Sequence, residues 1–347
     1  MSAGTFTVSG SGVLGSGSPN NYMAGITNNA AFVYSSSADQ TLSGVISGSG
    51  TLTKNTGSGT LTLSNANTYT GNTTISAGVV AISNNTALGD NGSSRGTTTV
   101  ESGAALSLSG TLTAVAEPIT VSGTGISSGG AIRNTADSNK ITGLMTLAAD
   151  TEIQSDSGTL TFDPSSGSAI TGTFNLSFDA NTGNVSVADP IATSTGTLTK
   201  TGSGTLTLSN ANTYTGDTTI SAGVVAISNN TALGTTAGST TVASGAALSV
   251  SNNVSVAEAI TISGTGISSG GAIRNTANSN TLTGLVTLAA DTEIQSDSGT
   301  LTFDPSSGSA ITGTFNLTVD TTASTAAVTV ADPIATSTGT LTKSGSG

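Results

Sequence analysis

Short runs of alternating apolar and polar residues recur along most of the chain. In Thr60–Leu63 threonines alternate with leucines, and a period of two continues in Thr73–Ile82, Thr97–Leu108 and Thr159–Phe162. Such alternation places successive side chains on opposite faces of a β-strand. No apolar stripe with helical spacing extends beyond two turns, so the pattern predicts an all-β protein.

The apolar positions of these runs form the predicted core. On each strand one set of side chains faces the interior, while the threonines and serines between them face outward. We predict that the following residues, and their equivalents later in the chain, are buried: Leu61, Leu63, Ile75, Val80, Ile82, Leu106, Ile153, Leu160 and Phe162.

Small residues separate the predicted strands, as in Ser76–Gly78 and Ser122–Gly125. Asn-Gly and Asp-Gly pairs, which join antiparallel hairpins, are few. Small corners between short strands are typical of a coil wound about one axis, where Gly, Asn and Ser accept the bends and Asn stacks in ladders. The pattern therefore predicts a parallel β-helix, or β-solenoid. At a typical ~20–24 residues per coil, the chain would form roughly 15 rungs and a rod about 70 Å long.

The chain is also a tandem duplication. Gly59–Gly89 recurs as Gly204–Gly234 with one substitution, and Gly129–Phe174 recurs largely unchanged as Gly270–Phe315. Units of a tandem array bury their apolar faces against their neighbours. A catalytic site is normally needed once, whereas a structural device is needed in every unit.

The duplication divides the chain into segments of one continuous solenoid. We expect atypical N-terminal rungs or a cap at residues 1–50, a first repeat unit at 51–199, a second at 200–343, and the start of a truncated third unit at 344–347.

The first segment differs from the rest in its aromatic residues. Phe6, Tyr22, Phe32 and Tyr34 lie within it, although aromatic residues are only 3% of the chain. Large rings at this place favour either a plug over an exposed rung or a diverged repeat. The sequence leaves both interpretations open.

Composition excludes several classes of function. Charged residues make up 7% of the chain, the formal net charge is −12, and His, Cys and Trp are absent. A basic surface for nucleic acid is therefore excluded, as are disulfides and thiolate metal sites. Most nucleophilic triads need His or Cys. No apolar run reaches the ~18 residues that span a bilayer, so we expect no direct membrane insertion.

The duplicated segment resembles a known family. Gly57–Gly78 (GSGTLTLSNANTYTGNTTISAG) and Gly202–Gly223 are similar to the autotransporter-associated β-strand repeat of bacterial passenger domains, departing from it at Asn65 and Asn72. The resemblance implies a right-handed β-helix that is secreted and displayed on the bacterial cell surface, often as a stalk or adhesin. Similar repeats also occur in giant surface proteins and phage fibres.

Acidic residues are densest within residues 150–163, and the same group recurs within residues 291–304. Clustered carboxylates can act as acid and base or hold calcium, here through Asp156 or Asp163. However, no basic residue lies within that stretch, and the whole set recurs, which favours a solvated surface. The two sets are Asp150, Glu152, Asp156, Asp163 and Asp291, Glu293, Asp297, Asp304.

Arginine and tyrosine also recur with the repeat. Arg133 and Arg274 lie in identical GGAIRNTA contexts. They are candidates for ligand binding, but recurrence favours a bidentate hydrogen-bonded clamp onto a neighbouring rung or carboxylate. Tyr69 and Tyr214 could stack on sugar rings. We instead expect each ring to pack at a solenoid corner with its hydroxyl exposed to water.

Threonine pairs raise one further alternative. Thr60 with Thr62, and Thr205 with Thr207, resemble the flat threonine arrays of ice-binding solenoids. An ice-binding face needs the pair at the same place on successive rungs, and here it recurs irregularly. Threonine is also a favourable outward residue on a strand, which explains the pattern more simply.

The features favour a non-catalytic structural or adhesive rod segment, and the resemblance implies that this segment belongs to a secreted, extracellular bacterial surface protein. We predict no catalytic, metal-binding or cofactor-binding residue and no nucleic-acid partner. A host-surface or glycan ligand and end-to-end self-association are the expected interactions, because open solenoid ends expose unpaired backbone. The alternatives are a phage tail-fibre or tailspike β-helix that binds or hydrolyses polysaccharide, and a self-assembling extracellular fibre.

Overall fold

A computed structural model describes residues 3–15, 20–90, 92 and 95–347. The chain divides into two units by its contacts, Met1–Asp179 and Ala180–Gly347. Residues 1–2 and 16–19 of the predicted N-terminal segment lie outside the described residues.

Short β-strands account for most of the regular structure. The strands that begin in the first unit are β1 Thr5–Gly10, β2 Asn21–Tyr22, β3 Ile26–Thr27, β4 Ala31–Ser36, β5 Gln40–Leu42, β6 Ile46–Ser47, β7 Thr51–Lys54, β8 Thr60–Leu63, β9 Thr73–Ile75, β10 Gly78–Ile82, β11 Thr98–Val100, β12 Ala104–Leu108, β13 Ile119–Gly123, β14 Ile132–Asn134, β15 Asn139–Ile141, β16 Met145–Ser155, β17 Thr159–Phe162, β18 Ile170–Thr171 and β19 Leu176–Ala180.

The second unit continues with the same kind of strand. These strands are β20 Asn184–Val187, β21 Ile191–Ala192, β22 Leu198–Thr201, β23 Thr205–Leu208, β24 Thr218–Ile220, β25 Gly223–Ile227, β26 Ser239–Val242, β27 Ala246–Val250, β28 Ser255–Val256, β29 Ala259–Gly264, β30 Ile273–Asn275, β31 Asn280–Leu282, β32 Val286–Ser296, β33 Thr300–Phe303, β34 Ile311–Thr312, β35 Leu317–Thr321, β36 Ala327–Val330, β37 Ile334–Ala335 and β38 Leu341–Gly345.

Strand pairing among the described residues is parallel, and most strands pair with a strand one coil further along the chain. Leu61 on β8 pairs with Val80 on β10, which in turn pairs with Leu106 on β12. The second unit repeats this register with Leu206, Val225 and Leu248. The described residues form a parallel β-solenoid of about 15 turns, which confirms the predicted fold class.

Helix is confined to two single 3-10 turns in the described residues, Ile126–Ser128 and Ile267–Ser269. They occupy the same place in the two copies. None of the helical turns in the part of the chain that the structure describes is long and apolar enough to cross a membrane.

The core follows the period of two. In β8 the outward threonines are half-buried and the inward leucines are buried, and every residue predicted as core is at most 1% exposed. The equivalents in the second copy, including Leu206, Ile220 and Phe303, are also buried. Burying one such side chain fully contributes about 1.5–3 kcal/mol, so stacked apolar columns are the main stabilising term.

Glycine is required where neighbouring coils approach each other. At Gly143 a Cβ atom would lie 2.0 Å from the carbonyl oxygen of Glu117 on the preceding coil. At Gly158 it would lie 1.9 Å from the carbonyl oxygen of Asp137, and the φ angle there is +66°. Any larger residue would force the coils apart at these corners.

Buried asparagines fasten some of the corners. Asn67 accepts a hydrogen bond from the backbone N–H of Ile46 (2.8 Å) and donates to the carbonyl of Ala87 (2.7 Å), thereby linking three coils. Asn212 accepts from Ile191 in the same way in the second copy (2.8 Å). Because the amide oxygen and the amide nitrogen each have a backbone partner, hydrogen bonds offset the free-energy cost of burying this side chain.

The N-terminal aromatic residues lie on strands of the solenoid. Phe32 and Tyr34 on β4 are buried, and β4 pairs in parallel with both β1 and β7. Phe6 on β1 is 43% exposed, with its ring centroid 5.8 Å from that of Phe32. The described part of this segment is therefore built from parallel coils.

Candidate functional site

The recurrent arginine forms a contact between coils. Arg133 lies on β14 directly opposite Gln154 on β16. Its Nε donates to Oδ2 of Asp156 at 2.7 Å, and the Gln154 amide donates to the other carboxylate oxygen. The arginine side chain is 41% exposed, so this contact resembles a surface ion pair. The expected contact with a neighbouring carboxylate is present, and the arginine makes it through Nε.

The second copy repeats that contact. Arg274 Nε donates to Asp297 Oδ2 at 2.6 Å, and Gln295 Nε2 donates to Oδ1 of the same carboxylate at 2.5 Å. A second ion pair, between Lys140 and Asp163, occurs in the first copy. Thr281 replaces the lysine in the second copy.

The acidic stretch of the first copy therefore has basic partners that its own sequence does not contain. No basic residue lies within it, but the preceding coil brings Arg133 to Asp156 and Lys140 to Asp163. Asp150 instead accepts from the backbone N–H and side-chain amide of Asn175, at 2.9 and 3.0 Å. Its counterpart Asp291 binds Asn316 likewise, and these hydrogen bonds lower the pKa of the Asp291 carboxyl. The described residues contain no cluster of three or more His, Cys, Asp or Glu suited to hold a metal.

A recess repeats on the outward face of the coils, below the loop that carries each 3-10 turn. In the first copy its volume is 420 Å³, and its lining includes Val79, Ala81, Ala105, Ile126 and Arg133. Small outward side chains leave this space open, and Ile126, which is exposed, forms part of its lining.

The loop above the recess has an unusual backbone that is the same in both copies. Ser127 and Ser128 have φ angles of 52° and 54°, and Ser268 and Ser269 have the same two values. Non-glycine residues adopt this left-handed region at a cost of about 1–2 kcal/mol each.

The recess of the second copy is smaller, 120 Å³, and its lining again includes the arginine, Arg274.

The tyrosine hydroxyls are buried, and the prediction that they contact water is wrong. Tyr69 and Tyr214 are 0% exposed. Their hydroxyls hydrogen-bond to Thr73 at 2.6 Å and to Thr218 at 2.8 Å. Burial raises the pKa of both phenols well above the usual range. The threonine lies four residues after the tyrosine and faces inward, so the polar end of the ring finds its partner inside the corner.

Two buried glutamates escaped the sequence analysis. Glu117 and Glu258 are each 4% exposed, and each is the last residue of a V-A-E motif that occurs in both copies. Burial raises the pKa of each carboxyl to about 7, and the hydrogen bond from a threonine hydroxyl opposes that shift only in part. A period of two counted back from Ile119 would have placed Glu117 inward.

Two buried lysines were also missed. Lys54 is 0% exposed, and its ammonium donates to the carbonyls of Thr56 (3.0 Å) and Gly57 (2.8 Å). Lys200 is buried likewise, and it donates to backbone carbonyls on its own coil and, through Ala222, on the next. Burial lowers the pKa of Lys54. In the T-L-T-K run the lysine shares the inward face with the preceding leucine, which was an available signal.

These features define a class of protein. Parallel coils enclose an apolar core, and the charged and polar groups that recur with the repeat bind neighbouring coils to one another. The chain is therefore a repeat-built β-solenoid.

Residues 56–82 and 198–227 match the passenger-associated-transport-repeat family. The chain carries two copies of this repeat of autotransporter passenger domains, which confirms the family resemblance. The family implies a secreted or surface-exposed protein. No curated protein and no solved structure matches the chain.

Proposed function

We propose that this chain is a structural and adhesive rod segment of a secreted bacterial surface protein, and that it is not an enzyme. The observation that carries the proposal is the use of the repeated charges. Asp156 and Asp297 each bind the arginine of the preceding coil. Carboxylates engaged in this way hold coils in register and are poorly placed to exchange protons with a substrate.

The adhesive part of the proposal rests on the outward face. The recess beside Arg133 recurs beside Arg274 with the same kinds of residue. A surface presented once per repeat gains avidity for an extended ligand without any new contact. A host-surface or glycan ligand fits this arrangement, and end-to-end stacking of coils remains the expected mode of self-association.

Binding and turnover measurements on the full chain test this function. Beads coated with the chain should adhere to glycan-bearing surfaces, and a panel of polysaccharides and glycosides should show no release of reducing ends. Hydrolysis that is abolished by Asp156→Ala while Asp297 stays intact would refute the non-catalytic proposal. Adhesion equal to that of uncoated beads would refute the adhesive one.

A second candidate, polysaccharide binding of the tailspike kind, is favoured by one feature that is not duplicated. Phe6, Tyr22 and Phe32 border a cavity of 220 Å³ near the start of the first unit. Aromatic rings stack on sugars, so a Tyr22→Ala variant should lose binding if this cavity is the ligand site. Binding that depends on Arg133 but not on Tyr22 supports the recess instead.

A further inference from the structure

A buried polar column runs through three consecutive coils of the first copy. Tyr69 and Thr73 share a hydrogen bond on one coil, and Thr73 is in register with Thr98 on the next. The Thr98 hydroxyl donates to Oε1 of Glu117 on the third coil at 3.3 Å. Both threonines are 0% exposed and Glu117 is 4% exposed, so the Glu117 carboxyl is largely removed from solvent.

The second copy contains the same column. Tyr214 and Thr218 are hydrogen-bonded, Thr218 is in register with Thr240, and the Thr240 hydroxyl donates to Oε1 of Glu258 at 2.8 Å. The other oxygen of this carboxyl, Oε2, is buried and has no hydrogen-bond partner among the described residues.

This surrounding favours a neutral carboxylic acid. An ionised carboxylate is costly to bury unless several donors or a cation compensate it. Each glutamate has a threonine hydroxyl as its hydrogen-bond donor. A protonated carboxyl loses far less hydration energy on burial, so the folded coil binds the proton more tightly than the unfolded chain does.

The charged groups around the two columns differ. The nearest tyrosines, Tyr69 and Tyr214, are neutral. The positive charge of Arg95 favours the ionised form of Glu117, whereas the negative charge of Asp217 disfavours the ionised form of Glu258. Asn72 occupies the place of Asp217 in the first copy. The nearby negative charge therefore strengthens proton binding by Glu258, whereas the nearby positive charge weakens proton binding by Glu117.

We propose that Glu117 and Glu258 are proton-binding sites that couple the stability of each copy to pH, so that mild acidification stabilises the coils around both columns against unfolding. The direction follows from linkage. Each folded carboxyl binds its proton more tightly than the unfolded chain, so its stabilising effect is complete at low pH. The effect is lost as the pH rises through the folded value, about 7.

The test is denaturant unfolding of the full chain from about pH 5 to about pH 8. One proton bound on folding changes the unfolding equilibrium constant about tenfold per pH unit. Glu117→Gln and Glu258→Gln should each remove one such dependence, and the double variant should remove both. Glu101→Gln, which removes an exposed carboxylate, should leave the pH profile of the wild-type chain unchanged.

Two further variants test the assignment to particular columns. Asp217→Asn copies the first-copy residue Asn72, so it should shift the titration of Glu258 to lower pH. Arg95→Ala should shift that of Glu117 to higher pH. If Glu→Gln variants fail to fold, infrared difference spectra of the wild-type chain should show protonated carboxyl bands that titrate near neutrality.

A double variant with the same pH profile as the wild type would overturn the proposal. So would infrared spectra of the folded wild-type chain at about pH 6 that contain no protonated carboxyl band.

Discussion

Substituting Leu206 by Asp tests the inward face of the strands most directly. Leu206 is 0% exposed and lies in register between Val185 and Val225 on the adjoining coils. Loss of the leucine side chain should cost about 3–5 kcal/mol in transfer and cavity energy. Keeping an aspartate neutral at about pH 7, against a reference pKa of about 3.9, costs about 4 kcal/mol. This is the upper limit on the cost of the buried charge, because the side chain can take up a proton instead.

The expected total is therefore about 7–9 kcal/mol, most of the stability of an ordinary domain. Thermal unfolding followed by circular dichroism should show a midpoint about 15–30 °C lower. Because protonation removes the charge term, the difference from wild type should shrink as the pH falls toward about 4.

Thr207→Asp is the matched control for this substitution. Thr207 is the next residue on β23, faces outward, and pairs with Ser186 and Ala226, which are also half-exposed. It introduces the same charge but should cost less than about 1 kcal/mol. Equal losses for the two variants, or a neutral result for Leu206→Asp, would mean that the assignment of the faces is wrong.

Two further predictions concern the corners. Gly158→Ala should destabilise the first unit several times more than Gly103→Ala, because both glycines have positive φ angles but only at Gly158 would the new Cβ atom clash with a carbonyl oxygen. Urea unfolding midpoints measure the difference, and equal losses would show that the close approach of the coils at Gly158 does not limit stability. Tyr214→Phe should cost about 1 kcal/mol by removing a buried hydroxyl from Thr218, whereas Tyr22→Phe, at a half-buried ring, should cost less; an unchanged unfolding free energy for Tyr214→Phe would contradict the buried bond.

The core residues could be predicted from the sequence because strand periodicity is a local property. Once Leu61 faces inward, Leu63 must face inward too, whatever lies on the next coil. The same rule reaches Lys54 and Glu117, which share the inward face with Leu52 and Ile119. They were overlooked because a charged residue is normally assigned to the surface.

The contacts between coils could not be predicted in this way. Arg133 and Asp156 are 23 residues apart, and whether they meet depends on the length of the intervening coil and on every residue in its loops. The hydroxyl of Tyr69 is a similar case, since its burial depends on whether the corner of the coil directs Thr73 inward to meet it. The alternation of apolar and polar residues contains neither the loop lengths nor the corner geometry.

The sequence by itself determined the all-β class, the parallel coil, the inward face and the repeat family, because these follow from periodicity and from matching segments. The tertiary structure alone decided which polar groups meet: the arginine–aspartate pairs, the lysines on backbone carbonyls, and the threonine–glutamate columns. The physical reason is that register between coils is set by the summed length of loops and by close glycine contacts. A change in the length of one loop would alter which outward side chains meet across the two coils that it joins, while leaving the strand pattern unchanged.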